Sequence, residues 1–299
     1  MEATTGGFDA ILWPAGQALI SGVLVGGVYG LLSIGFSLAF GVMRIVNFAH
    51  GDLVMYGMYV GVVAAGTLGI DPLYAVPASF VLMAALGALQ YLLVYKRFVG
   101  FATLQQLLAA IGLGLALQMV AQIIFGADTR AAPSLFSAKF LLIGPLFVSE
   151  AQVVAFAVAV VATLAVEALL GGTHWGKAVR AVADDIEAAE IVGLSSQTIN
   201  IGAFALACGL AGIAGTVMST YYPTDPSKGL SLMPIAIIAT TIGGLGSIRG
   251  SFLGGIFCGV VQQLTALLWS SALQDVPLYL LLLVFIAYRP TGMFGLRTE

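Results

Sequence analysis

Charge is what this sequence has least of. Only 8% of its 299 residues are Asp, Glu, Lys or Arg, against about 25% in an ordinary soluble domain. With 60% hydrophobic residues and a mean hydropathy of +1.05, there is too little polar surface to cover a water-soluble globule. The solvent for most of the chain is therefore lipid. Cysteine and histidine are equally scarce. Cys208 and Cys258 lie inside apolar runs, which excludes a disulfide framework and favours buried thiols. His50 and His174 stand far apart with no paired carboxylates in a span, so neither a metal site nor a catalytic constellation is expected. The net charge of −3 excludes a nucleic-acid binder held by a basic field. The first basic residue is Arg44, so the N-terminus lacks the signature of a cleavable signal peptide. No cofactor is expected.

What is abundant is glycine, 38 residues of it, and apolar runs of spanning length. After a short polar tail (1–14), apolar segments follow at Gly16 to Phe40, which is wholly uncharged, Leu53 to Thr67, Asp71 to Val94, Gln105 to Phe125 and Gln152 to Leu170. Others run over Asn200 to Thr220, Leu232 to Ile242, Phe252 to Trp269 and Pro277 to Tyr288. The pattern predicts an all-α polytopic membrane protein of eight to nine transmembrane helices, a single domain over 1–299. The glycine series Gly22, Gly26, Gly30 and Gly57, Gly61 predict close helix packing. Segment 126–150 reads as an external loop. Gln118 and Gln122 share a helical face that can line a polar path. Glu167, near the end of its span, is expected to snorkel.

Gly176 to Leu194 is a charged island between apolar runs. It holds Lys177, Arg180, Asp184, Asp185, Glu187 and Glu190, with Val179, Val182, Ile186 and Ala189 at helical steps. One continuous helix would place the basic residues at its N-terminus and the acidic ones at its C-terminus, against the macrodipole. A break at Asp184 removes the conflict. The spacing therefore predicts two short helices over about 176–183 and 185–192, with Asp184 as cap, Glu187 as its box partner and Gly193 at C′. Such helices are too short to span, and the apolar stripe suggests a docking face for a soluble partner, within a cytoplasmic coupling segment 171–197. Gly171 to Ala178 fits G-x-x-x-x-G-K but has Ala178 where a phosphate loop needs Ser or Thr, and it follows a membrane helix.

Two further stretches interrupt the apolar runs. Asn47, Phe48, His50 and Asp52 sit between two runs with almost no loop. Asn47 or Asp52 can cap the following helix of a tight cytoplasmic turn. Alternatively the stretch is a helix broken inside the membrane at a translocation path. Gly244, Gly246 and Ser247 form a comparable glycine-bearing break before a second Gly-rich helix. The correspondence suggests an internal repeat.

These residues resemble a known family. Glu187-Ala188-Ala189 followed by Gly193 is similar to the EAA loop of ABC-importer permeases. Gly176-Lys177-Ala178-Val179-Arg180-Ala181, with Asp184 and Ala188-Ala189, resembles the form found in branched-chain amino-acid permeases. Asn47-Phe48-Ala49-His50-Gly51, Pro133-Ser134-Leu135-Phe136, Gly243-Gly244-Leu245-Gly246-Ser247 and Pro290-Thr291-Gly292 fit the same family, in its shorter permease type. Arg249 stands where the family often has Pro, and Arg289 where it usually has a small or apolar residue.

The resemblance implies one permease subunit of an ATP-driven importer of branched-chain or other hydrophobic amino acids, and no enzyme. Its implied partners are a homologous second permease, two cytoplasmic ATP-binding subunits and an external substrate-binding protein. Relatives carrying urea, short amides or small aromatic acids leave the substrate open. Ion-coupled secondary carriage is the rival reading. With the island inside, eight of the eleven basic residues fall on the cytoplasmic side. The expected setting is the bacterial inner membrane, N-terminus outside and C-terminus inside.

Overall fold

The computed structural model describes residues 5–98, 101, 103–288 and 292–293. The motif Arg289-Pro290-Thr291 lies outside the described residues. Helix α1 (Thr5–Met43) is followed by α2 (His50–Gly66), α3 (Val76–Gln90), α4 (Lys96–Phe98) and α5 (Thr103–Phe125). A 3₁₀ turn, Pro72–Ala75, precedes α3, and a π turn, Tyr91–Tyr95, joins α3 to α4. Strands β1 (Phe140–Ile143) and β2 (Leu146–Ser149) lead into α6 (Glu150–Gly172), α7 (His174–Asp184) and α8 (Ile186–Ile191). Then come α9 (Ser196–Met218), α10 (Lys228–Gly243), α11 (Ile248–Leu268) and α12 (Val276–Tyr288).

The protein is an all-α polytopic membrane protein, as its composition requires. The count is corrected, however: among the described residues seven helices are long and apolar enough to cross a bilayer, against the eight to nine expected. The two that fall short are α2, with 17 residues, and α10, with 16, where a crossing needs about 20. The tail 1–14 is not a separate polar segment either, since α1 already runs from Thr5 through Pro14.

Glycine sets the packing. A Cβ at Gly26 would lie 2.6 Å from Ile256 Cα, and one at Gly22 2.7 Å from Val260 Cα. From the facing side, Gly255 and Gly259 press on the backbone of Gly30, Gly26 and Gly22. Helices α1 and α11 thus touch backbone to backbone, where dispersion replaces the absent hydrophobic drive. Gly57 meets Gly212, and Gly87 meets Cys208, which seats α2 and α3 on α9. Both cysteines are free and buried. Gly26→Leu is expected to split the α1–α11 seam and to remove most folded protein from the membrane fraction, as read by detergent-extracted monodisperse yield. A wild-type yield would mean that the seam is dispensable.

The two ends of the bundle differ. At one, α7 and α8 form the island. At the other, β1 and β2 make a hairpin with Ile143 opposite Leu146 and Gly144 at φ +61° in the turn. This hairpin was not legible as strands, because its eight residues are too apolar to alternate. The Asp71 carboxylate anchors the same loop by accepting from Ser134 Oγ at 2.8 Å and Leu135 N–H at 2.7 Å. Arg130 and Thr224 join it to the α9–α10 connection by paired backbone bonds.

Candidate functional site

The stretch Asn47–Asp52 is a break that runs back into the helix bundle, with His50 level with Leu32 of α1. Helix α1 ends at Met43, and Arg44 takes φ +53°, a conformation rare outside glycine, which reverses the chain. Residues 44–49 are non-helical and climb back along α1. His50, the first residue of α2, then places Nε2 3.2 Å from the carbonyl of Leu32, eleven residues above the end of α1. That is about 16 Å at 1.5 Å per residue. The register with α9 gives the same depth. Gly35, in contact with the His50 ring, faces Ala207, the middle residue of the 23-residue α9.

Neither Asn47 nor Asp52 caps α2, which corrects that expectation: the cap position is Ala49 and has no side-chain bond. Asn47 is instead held sideways. Its Oδ1 accepts from Tyr95 Oη at 2.5 Å, while its Nδ2 is buried without a partner among the described residues. His50 is fully buried, and its Nδ1 is likewise unpartnered. Phe48 is half-buried. Asp52 is the one buried charged residue among the described residues. Its carboxylate lies between Gly114 of α5 and Gly229 of α10, and a Cβ at Gly229 would lie 2.7 Å from Asp52 Cα. Gln118, one turn beyond Gly114, is half-buried, and Gln122 is exposed. The shared face of the two amides is thus only partly turned towards Asp52.

Gly244, Gly246 and Ser247 form a break of another kind. It is a four-residue turn in which Gly244 (φ +105°) and Gly246 (φ +82°) reverse the chain and Ser247 Oγ caps α11 by accepting from Gly250 N–H at 3.1 Å. Gly246 N–H also donates to Ser37 Oγ of α1 at 3.0 Å. The turn is tight and the first break is extended, so the two are not copies of one motif. A cavity of about 830 Å³ adjoins the turn at the island end and is lined by Arg44, Arg180, Asp184, Gly246, Ser247 and Arg249, among others. Glu167 does not snorkel alone: it pairs with Arg249 across α6 and α11. Because Arg249 is largely exposed there, solvent screens the pair and it adds little to stability. Glu167→Gln is expected to change thermal stability in detergent by no more than a few degrees, and a collapse of folding would show that the pair is structural.

The island folds as two short helices, with the break one residue later than expected. Asp184 ends α7, and it is Asp185 that takes the extended conformation and accepts from Ala188 N–H at 3.0 Å. Ala188, and not Glu187, is therefore the third residue after the cap. Gly193 does stand at C′, with φ +87°. The apolar stripe divides in two. Val179, Val182 and Ala189 are buried against the chain itself, together with Gly176, whereas Ile186, Ile191 and Val192 face outwards. Lys177, Arg180, Asp184, Glu187 and Ala188 are exposed around them. Arg180 still donates to the Leu170 carbonyl at the end of α6, and Glu190 accepts from Ser196 at the start of α9. The island is thus tied to both membrane helices that flank it.

Comparison with known proteins gives a consistent picture. The profile of the family described as "Branched-chain amino acid transport system / permease component" matches residues 18–287. The high-affinity branched-chain amino acid transport system permease protein BraD of Pseudomonas aeruginosa is 28% identical over 292 residues, covering 93% of this chain and 95% of that protein. The corresponding protein LivH of Escherichia coli K12 is 28% identical over 293 residues, with the same coverage. Among solved structures, PsaBC from Streptococcus pneumoniae in complex with Fab aligns over 93% of this chain and 92% of that one, with a TM-score of 0.52 and 16% identity. That likeness concerns the fold alone.

Proposed function

The chain belongs to the family of branched-chain amino acid transport system permease components, and on that premise we propose that it is one permease subunit of an ATP-driven importer in a bacterial inner membrane. Its cargo is a branched-chain or other hydrophobic amino acid. A homologous second permease completes the pore, two cytoplasmic ATP-binding subunits drive it, and an external binding protein delivers the substrate. The island lies in the cytoplasm, as does the C-terminus, and the N-terminus lies outside.

The observation that carries this reading is the outward face of the island. Ile191, the last residue of the six-residue α8, and its C-cap Val192 are 86% and 75% exposed, with charged neighbours. A helix that short has no stability of its own, so its apolar face is held in place by α7 and α9. An apolar knob on the same exposed segment as the charged Glu187, Asp184 and Lys177 suits a groove on a soluble subunit. The coupling residues are then Gly176, Lys177, Arg180, Asp184, Glu187, Ala188, Ala189 and Gly193. Motion of the knob is passed to α9 through the Glu190–Ser196 contact. The path residues are Asn47, Phe48, His50 and Asp52, with Gln118, Gly244, Gly246 and Ser247 as further candidates.

Buried Asp52 is the observation that keeps an ion-coupled carrier as the rival, since intramembrane acids commonly serve as proton or sodium sites. Reconstitution separates the two readings. The chain alone in liposomes is expected to show no concentrative uptake under any ion gradient. Uptake of leucine is expected only with the second permease, the ATP-binding subunits, the loaded binding protein and ATP. Accumulation by the chain alone under a proton or sodium gradient would overturn the proposal. Competition by isoleucine and valine, but not by urea, short amides or aromatic acids, would fix the substrate class.

A further inference from the structure

Tyr95 belongs to no motif of the family resemblance, yet it holds the Asn47–Asp52 break. It sits in the π turn Tyr91–Tyr95, where one extra residue per turn shifts the register of everything beyond it. The shift brings a fully buried phenol to Asn47, 48 residues away, at 2.5 Å. The ring leans on Phe204 of α9, centroid to centroid 5.0 Å, and Tyr91 packs on the same Phe204 at 6.1 Å. Phe204 lies two turns into α9, whose first residue, Ser196, is bonded to the island. The contacts thus run without a gap from Glu190 through α9 to Tyr95 and Asn47.

The polar bookkeeping at this junction is incomplete. Among the described residues Asn47 makes one side-chain bond, through Oδ1 to Tyr95, and its Nδ2 has none. The Oδ1 of Asn200 and both amide atoms of Gln90 are also buried without partners on the two helices that meet at the π turn. Buried polar groups left unpaired are costly, and a side chain held by a single bond among them, as Asn47 is, is poised between arrangements.

We propose that Tyr95 is a positioning residue for transport, whose hydroxyl sets the shape of the break by bonding Asn47 and relays the position of α9 to it. This rests on the reading of Asn47–Asp52 as part of the path. Tyr95 touches no substrate. It acts through Asn47, and the π turn is the device that aims it. When α9 moves with the island, Phe204 shifts the Tyr95 ring, and the hydroxyl either keeps or releases the amide.

The test uses the complete reconstituted importer. Tyr95→Phe keeps the ring on Phe204 and removes only the hydroxyl. It is expected to leave assembly and the half-saturating concentration of loaded binding protein unchanged, to slow uptake about tenfold, and to raise the ATP hydrolysed per leucine moved by a similar factor. Tyr91→Phe, on the same turn, is the control and should keep the wild-type ratio. Asn47→Val should reproduce the loss, and the Tyr95→Phe/Asn47→Val double variant should be no worse than either single one, because both remove the same bond. Additive losses, or a wild-type ATP-to-leucine ratio in Tyr95→Phe, would overturn the proposal. If wild type itself shows no ATP-dependent uptake, it is the importer reading that fails, and the two failures are thereby told apart.

Discussion

Charge reversal at Glu187 combined with Gly193→Val is expected to leave the chain in the membrane and to strip it of its ATP-binding subunits. Glu187 is exposed in the first turn of α8, where a negative charge favours the helix N-terminus and a lysine would oppose it. Gly193 closes the same helix at φ +87°. In that conformation Gly193 N–H reaches the Glu190 carbonyl and Leu194 N–H reaches that of Ala189, each at 3.0 Å. A valine there costs roughly 1–2 kcal/mol, and α8 has one buried residue, Ala189, to resist the loss. The helix is therefore unseated while the spanning helices, which bury their own faces elsewhere, stay in place. Affinity purification from membranes should recover the chain with its partner permease and without ATP-binding subunits, and uptake should fall at least 100-fold. ATP-binding subunits retained in detergent at the wild-type ratio would count against the island as their dock.

The second large effect concerns His50. Its ring fills a fully buried site beside Phe36, 6.1 Å between centroids, and above Gly35. An Nε2–H donating to the Leu32 carbonyl pins the start of α2 eleven residues back from the end of α1. His50→Gln keeps a donor of similar reach and is expected to retain at least half of the uptake. His50→Leu removes the donor, which is worth about 1 kcal/mol net and more inside a break already short of partners. Its uptake should fall about tenfold below that of the glutamine variant at equal expression. Gly35→Val should do at least as much harm with His50 itself unsubstituted, since even a single Cβ at Gly35 would lie 2.7 Å from the Ala207 carbonyl and 3.0 Å from the His50 ring. Equal activity of the glutamine and leucine variants would remove His50 from the mechanism.

Much of the fold was legible because lipid imposes simple rules. Apolar runs of 20 or so residues must be helices, and α5, α6, α9, α11 and α12 begin or end within a few residues of where the runs do. Glycines at four-residue spacing marked the α1–α11 and α2–α9 seams, since little else lets backbones approach so closely. The island's two helices and Gly193 followed from charge and cap chemistry alone. The choice between Asp184 and Asp185 as cap did not. Both residues are good caps, and the decision belongs to tertiary packing, which must bury Val182 of α7 and Ala189 of α8 against the same floor.

The depth of the first break was out of reach for a different reason. Six residues of extended chain reach up to about 20 Å, enough either to turn at the surface or to return to the middle of the bundle. Nothing local to Arg44–Ala49 decides between these. The decision comes from Leu32, Gly35, Ala207 and Tyr95, which are distant in sequence. Tyr95 itself was hidden because a π turn has no compositional mark: Tyr91 to Tyr95 reads as ordinary apolar helix. Arg249 and Glu167 stand 82 residues apart, and only the packing of α11 on α6 joins them.

Mid-membrane placement of the break at a moving path is the claim on which the rest depends, and cysteine accessibility tests it directly. Single cysteines at positions 47, 48 and 50, in a background with Cys208 and Cys258 replaced by Ala, are treated with an impermeant thiol reagent from the cytoplasmic side of vesicles holding the complete importer. A reporter at Arg44, exposed at the end of α1, gives the rate of a surface site. Labelling at 47, 48 and 50 is expected to be at least tenfold slower than at 44, and to change severalfold when ATP and loaded binding protein are added. Rapid labelling at all three positions, equal to that at 44 and indifferent to ATP, would make the stretch a surface turn and contradict the account.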